Sequence, residues 1–470
     1  MLKKHHILFM MVCLIGSSCA TYYQQNREFY NRFQSGKLDA AERTLLGNKQ
    51  AEESKERFLY YLNLGVVTSM QGKYEESNLY FEKAYLFGED YQINYVNEAA
   101  SYLTNPNFVL YKGEDHEHLL LLYYKAMNYL KMGDKESALI ECRRLNIRLN
   151  QLSDKYRSDD KFQRDGFIHM LMGIIYDANK DYNNAFIAYR NALNIYNTDY
   201  KRLFGIGPPE QLKKDLLRSA FLTGFKDEFE QYKQEFGMLD YEYKRNEGGE
   251  LIFLWNNGLG PVKAEWSLNF AVLPGQGGWV NFTNNNYSYD FPFRLDDEDD
   301  ETDLRELEFF RVAFPKYVER PKLYSEANLI TNGERYQLQL AEDVNAIAFK
   351  SLEQRMVSEF GRSLLRAALK KAAEKKFRKE NEGLGALVGI VNAATEKADT
   401  RNWQTVPHSI YYARVPLKEG ENKVEFSLRS FNNPAFDSAY EFIYNVEKGE
   451  TLFHTFSSLE SQRVNLGHYY

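Results

Sequence analysis

Cysteine is almost missing from this chain. Three residues in 470 carry a thiol, Cys13, Cys19 and Cys142. The first two lie in a leader-like stretch, so one thiol remains and an internal disulfide framework is excluded. Basic charge is not in excess either. Lys and Arg number 59 against 66 Asp and Glu, a net charge of −7, and no long basic run supplies the footprint that nucleic acid needs. The motifs G-x-S-x-G, Walker A, G-x-G-x-x-G and H-E-x-x-H are all absent. Outside the leader the histidines are His116, His118, His169, His408, His454 and His468. His116 and His118 flank Glu117, but i, i+2 spacing suits a strand or loop and not one helix face, and no third ligand is indicated. The acidic run from Asp296 to Asp303 lacks the alternation and the Gly of an EF-hand loop and reads as a solvated loop. No catalytic residue, metal or cofactor is assigned.

What is present begins at the N-terminus. Lys3 and Lys4 precede an apolar Ile7–Ile15 run, then Gly16, Ser17 and Ser18 lead to Cys19. Nine apolar residues make a helix of about 14 Å, too short for a bilayer core of about 30 Å. The segment 1–18 therefore reads as a secretory signal. Its ending resembles a bacterial lipobox, with Gly16 where Leu is usual, which makes Cys19 the expected lipidation site. Ala20 in place of Asp implies the outer membrane, and the absence of an acidic tag there implies a periplasm-facing position.

From 19 to 240 the pattern is helix–turn–helix, repeated. One unit, Phe58–Glu89, places Tyr61, Leu64, Gly65, Gly72, Tyr74, Ser77, Phe81 and Ala84 at characteristic offsets. A second from Leu119 has Ala126, Tyr129, Gly133, Ala138 and Cys142. A third from Gly166 has Met172, Gly173, Tyr176, Tyr182, Ala185, Tyr189 and Ala192. A weaker unit lies around Phe29–Ala41. These spacings are similar to the tetratricopeptide (TPR) repeat, an α-solenoid with a concave groove. The groove positions would be Leu62, Val66, Tyr123, Met127, Phe167, Met170 and Ile174. All are apolar, without the Lys–Asn arrangement of a carboxylate clamp. Two readings follow. Either an amphipathic partner segment binds there, or the chain's own residues fill the groove, since an open apolar groove is costly.

Residues 249–470 change character. Short β-prone runs separated by polar turns, such as Glu250–Trp255 before Asn256-Asn257-Gly258, indicate a sandwich-like β domain. A helical insertion falls at about 347–398. Its segment 360–379 sets Phe360, Leu364, Ala368 and Ala372 against Arg362, Arg366, Lys370, Lys371, Lys375 and Lys376. Such a basic helix either lies on an anionic membrane or packs on the protein. Lys263 in Gly258–Lys263, with Asp399, Arg401 and Trp403 in Asp399–Pro407, forms a possible contact motif. Trp403 stacks on a sugar ring if exposed; if buried, it anchors a core with Asp399 and Arg401 paired beside it.

The segments Leu119–Leu145, Gly249–Lys263 and Asp399–Pro407 resemble a family of TPR-containing outer-membrane lipoproteins of Gram-negative bacteria. The resemblance implies repeats followed by a C-terminal domain and supplies no catalytic residues. The expectation is an α+β multidomain lipoprotein with no enzymatic activity, a scaffold or adaptor for envelope protein partners. The alternative is a carbohydrate- or peptidoglycan-binding lipoprotein using the β domain.

Overall fold

The computed structural model describes residues 21–92, 109–155, 162–244, 246–274, 279–284, 287–294, 309–356, 397–431 and 433–460, with a few between 359 and 366. Cys19, the acidic run 296–303 and most of the basic segment 360–379 lie outside the described residues. Among the described residues no helix is long and apolar enough to cross a membrane.

The helices are α1 (Tyr22–Gln25), α2 (Arg27–Gln34), α3 (Leu38–Gly47), α4 (Arg57–Met70), α5 (Tyr74–Gln92), α6 (Asp115–Lys131), α7 (Lys135–Lys155), α8 (Gly166–Ala178), α9 (Tyr182–Ile195), α10 (Lys201–Phe204), α11 (Glu210–Thr223) and α12 (Lys226–Glu235). Adjacent helices pack as hairpins: α2 on α3, α4 on α5, α6 on α7, α8 on α9 and α11 on α12. The close crossing has a stated cause. A Cβ on Gly65 would lie 2.6 Å from the Phe81 ring, and one on Gly173 would lie 2.5 Å from the Tyr189 ring. Each glycine is the seat of an aromatic from the second helix of its hairpin. The tight turn between the helices needs a left-handed residue, supplied by Gly72 (φ 78°) in one unit and, at some strain, by Lys180 (φ 62°) in another. Cys142 is buried inside α7.

Among the described residues twelve strands follow: β1 (Gly249–Asn257), β2 (Val262–Pro274), β3 (Trp279–Asn284), β4 (Tyr287–Arg294), β5 (Phe309–Val318), β6 (Tyr324–Thr331), β7 (Glu334–Gln337), β8 (Gln339–Asp343), β9 (Ser409–Leu417), β10 (Gly420–Ser430), β11 (Ser438–Val446) and β12 (Thr451–Ser458). They make three four-stranded sheets, ordered β12-β1-β9-β8, β11-β10-β6-β7 and β4-β3-β2-β5. Pairing is antiparallel except for β1 with β12. A helix over 344–356 sets Ala348 and Leu352 against Tyr317 of β5. Strands β3 and β4 arise from Asn-rich sequence that reads as turn.

The first two sheets face each other as a sandwich. Leu251, Phe253, Trp255, Val415 and Leu417 meet Ala327, Leu329, Val424, Phe426 and Leu428. The alternate residues of the first sheet, Ile252, Leu254, Ile410 and Tyr412, share one core with the helices. The layers are thus helices, first sheet, second sheet. The sandwich keeps a core of strand residues alone, while the core of the helices is shared with the first sheet, which corrects the expectation that the two cores are separate. A sheet with two apolar faces must be covered twice, and the helices are the second cover.

The end of α9 tightens this seam. It continues as a π-helical turn, Tyr196–Tyr200, which aims both tyrosines at β8. The Tyr196 hydroxyl donates to the Ala341 carbonyl. The Tyr200 oxygen lies 2.9 Å from Asp165 Oδ1 and 2.8 Å from Glu342 Oε2. One hydroxyl proton cannot satisfy both carboxylates, so one carboxyl keeps a proton and donates to Tyr200. Burial, aided by the charge of Asp165, pushes Glu342 well above the usual carboxylate range, and burial pushes Asp165 up to about 6.

Two outcomes are expected. Gly173→Leu forces α8 off Tyr189 and costs at least the ~1–3 kcal/mol of overpacking. Because the helices share their core with the first sheet, helix content by circular dichroism and Trp255 emission, read with Trp266, Trp279 and Trp403 replaced by Phe, should be lost in one urea transition; two separated transitions would refute the shared core. For Glu342, the folded state retains a proton that the unfolded chain releases near pH 4, so this site loses stability as pH rises from about 4 towards neutrality. Glu342→Gln carries no such proton, so its unfolding midpoint should gain on wild type across that window. A pH-independent difference between the two would show that Glu342 is ionised in the fold.

Candidate functional site

The seven expected groove residues lie on α4, α6 and α8, and every one is buried. The chain closes this side to a partner helix, leaving a cavity beside Tyr123 and Met127. Two parts of the chain itself cover the seven residues: the inner face of the first sheet and the segment 399–408. Tyr123 donates to Asn256 of β1 at 3.1 Å. Thr405 donates to Asn63 of α4 at 2.9 Å. The groove is filled for the reason that makes open apolar grooves rare, the cost of leaving such a face in water.

The segment 399–408 behaves as a strap. Trp403 is fully buried, packed at 6.2 Å from the Phe81 ring and 5.8 Å from Tyr124, and its indole N–H donates to Thr405 at 2.8 Å. No face of the ring is left for a sugar, so of the two readings of Trp403 it is the buried anchor that the structure shows. Its backbone N–H donates to Glu117 of α6 at 2.6 Å. Asp399 and Arg401 form a two-point pair at 2.9 and 2.8 Å, and Arg401 also donates to the Val109 carbonyl at 2.8 Å. The Tyr22 N–H donates to Thr400 at 3.1 Å, so α1 is held by the strap as well.

The other motif, Gly258–Lys263, lies directly against the strap. Gly260 N–H donates to Val406 O at 2.7 Å, and a Cβ on Gly260 would lie 2.6 Å from the Val406 side chain. Asn402 accepts from Lys263 N–H at 3.2 Å and donates to Pro261 O at 2.8 Å. Beneath both runs sits Arg320, fully buried, donating to Gly260 O at 2.6 Å and to Gln404 O. Burial lowers its guanidinium to about 10, and no carboxylate of the described residues is bonded to it. It clamps two backbones through their carbonyls. No pattern in the sequence marks it.

Lys263 reaches from the motif to Glu114 at 2.8 Å, and Arg355 takes the other Glu114 oxygen at 2.6 Å. Against the upward push of burial, Arg355 and Lys263 hold Glu114 well below the usual carboxylate range. Burial and the charge of Glu114 push Glu117 up to about 7, and burial drives His116 down to about 4. The His118 ring packs 4.9 Å from Phe58. A cavity of about 250 Å³ adjoins these groups. Among its charged walls Glu114 pairs with Lys263 and Arg355, and Asp399 pairs with Arg401.

A second charged cluster, unforeseen in the sequence, ties α8 and α11 to β1 and β9. Arg414 contacts Asp177 at 2.9 Å, Asp215 at 2.9 Å and Glu250 at 2.5 Å. Arg218 joins Asp177 and lies 3.5 Å from Glu250. Tyr412 donates to Asp215 at 2.7 Å. Removing one member of such a buried set strands the rest, at about 3–5 kcal/mol.

No family model and no curated protein matches the chain. Solved structures are similar over a little under half of the chain. A tetratricopeptide repeat protein from Parabacteroides merdae is 16% identical over 46% of this chain, at a TM-score of 0.30, and the chain spans 64% of its length. The MamA protein is 13% identical over 47% of this chain and 96% of its own, at 0.28. BtubC from P. vanneervenii is 14% identical over 46% and 79%, at 0.30. The TPR-like character of the hairpins therefore rests on their own geometry, the glycine seats at 65 and 173 and the turns at Gly72, Gly133 and Lys180.

Proposed function

We propose that the chain is a non-catalytic scaffold of the cell envelope, lipid-anchored at Cys19, which holds a protein partner on the outer face of its repeats. The observation that carries this is positional. Leu79, Ile140 and Ile187 each stand five residues into the second helix of successive hairpins, and they are 67%, 48% and 39% exposed. Seven residues on, Leu86 and Ile147 repeat the exposure at 52% and 55%. Between these levels stand Lys83, Arg143 and Arg190, all exposed. Isolated exposed aliphatics are ordinary; the same position in three units is a surface. It suits an amphipathic segment with apolar residues one turn apart and acidic residues between them. The concave side is already occupied, which leaves the outer side for a partner. The non-catalytic reading is supported by the pairing of Glu114 with Lys263 and Arg355 and of Asp399 with Arg401 beside the strap.

Two tests follow. Cys19→Ala should abolish uptake of labelled palmitate and release the protein from the membrane fraction; an unchanged membrane fraction in that variant would defeat the anchor. A photoreactive residue at position 140 should give one discrete protein adduct in native membranes, and one at position 170, inside the filled groove, should give none. Adducts from 170, or their absence from 140, would move the partner off the outer face.

A further inference from the structure

A cavity of about 250 Å³ lies where the C-terminal end of α6 and the start of α5 meet β12 and the end of β1. It is separate from the strap and from the outer face. Met127 and Phe456 give it apolar walls; Lys131, Asn256 and Ser457 give it polar ones. Lys131 differs from its neighbour on the same helix. Lys125 is buried between Glu82 and Glu141, whereas no carboxylate of the described residues offsets Lys131. Its ammonium lies 5.2 Å from the Tyr74 ring. The titratable groups around it are Tyr74 from α5, Tyr123 and Tyr124 from its own helix and His454 from β12. Burial raises the three tyrosines and lowers His454 to about 4, so none of them is charged at neutral pH.

The polar groups opposite have capacity to spare. Asn256 Oδ1 accepts from Tyr123 at 3.1 Å, but its amide N–H₂ reaches only Ser457 Oγ, at 3.5 Å, which is at the limit of a hydrogen bond. One cation, an under-used amide donor and a hydroxyl thus converge on a small, partly open cavity with Met127 and Phe456 in its walls. We propose that this cavity binds a small carboxylate carried on an apolar group, with the carboxylate against Lys131, Asn256 and Ser457 and the apolar part against Met127 and Phe456. A single cation matches a monoanion, and the volume suits a ligand well below drug size. A carboxylate there would supply the countercharge that burial denies Lys131. The chemistry fits a free organic acid and the C-terminus of an apolar peptide equally well.

The test uses the full chain and titration calorimetry. Hexanoate should bind at pH 7, and hexanol should bind about tenfold more weakly or less, the worth of a charge-assisted hydrogen bond. Lys131→Met should erase that difference, and because it removes an unpaired, half-buried charge it should unfold at no lower urea concentration than wild type. Burial brings the Lys131 ammonium down to about 8, so hexanoate affinity should fall about tenfold between pH 7 and 9.5 as the charge is lost. A tripeptide ending in a free Phe carboxylate, set against its amide, separates the sources: tight binding of the free acid alone points to a peptide terminus, and binding of hexanoate without the peptide points to a free organic acid. On wild type, reductive methylation at pH 7 read by mass spectrometry should label Lys131 early and be blocked by hexanoate. Equal binding of hexanoate and hexanol, unchanged binding in Lys131→Met, or methylation that hexanoate leaves untouched would each overturn the proposal.

Discussion

Strand β1 is apolar on both sides, and most of the architecture answers to that. Leu251, Phe253 and Trp255 turn into the sandwich, while Ile252 and Leu254 turn the other way. At about 25 cal/mol for each Å² of apolar surface removed from water, neither face of such a strand can stay wet. The second sheet covers one face. The first helices of the hairpins, whose concave surface is itself apolar, cover the other. Two surfaces that would each be a liability alone become one core, so the repeats lose the open groove that the solenoid form would otherwise offer.

Joining the layers buries polar groups too, and those groups set how the layers meet. Backbone N–H and C=O groups of the strap cannot form a ladder with helices, so side chains satisfy them: Glu117 takes the Trp403 N–H and Arg320 takes the Gln404 and Gly260 carbonyls. Arg414 is held by three carboxylates from three different elements. Apolar packing tolerates sliding; these contacts do not, since a shift leaves a buried charge unpaired. The apolar surfaces supply the attraction between layers, and the buried charges select one placement.

Much of the local structure was legible in the residues. Gly65 with Phe81 and Gly173 with Tyr189 follow from helix-pair spacing alone, and the residues from Leu62 to Ile174 named for the groove are all buried. Trp403, Asp399 and Arg401 could be read as an anchor and a pair for the same kind of reason, short-range chemistry. What covers the groove could not be read. Thr405 and Asn63 are 342 positions apart, and nothing periodic links them. Arg320 lies in a polar turn that looks solvated. Glu342 and Asp165 each look like surface acids until a π-helical turn brings Tyr200 between them. The run Leu251–Trp255 held a partial clue, because five consecutive apolar residues exceed what a half-exposed strand needs.

The filled groove also alters the meaning of the exposed aliphatics. In a solenoid with an open concave face, Leu79, Ile140 and Ile187 would be incidental. Here the concave side already contains its occupant, and Glu114 and Asp399 at that seam are paired with Lys263, Arg355 and Arg401. The apolar residues that remain outside, at one repeat position in three hairpins, are surface that folding has left uncovered although apolar burial drives it. A repeat array propagates any such position by construction, because each unit is placed by the one before it. The three side chains therefore stand at equivalent places in hairpins whose placement the inner core fixes. The sheet that closes the inner face thereby stiffens the outer one.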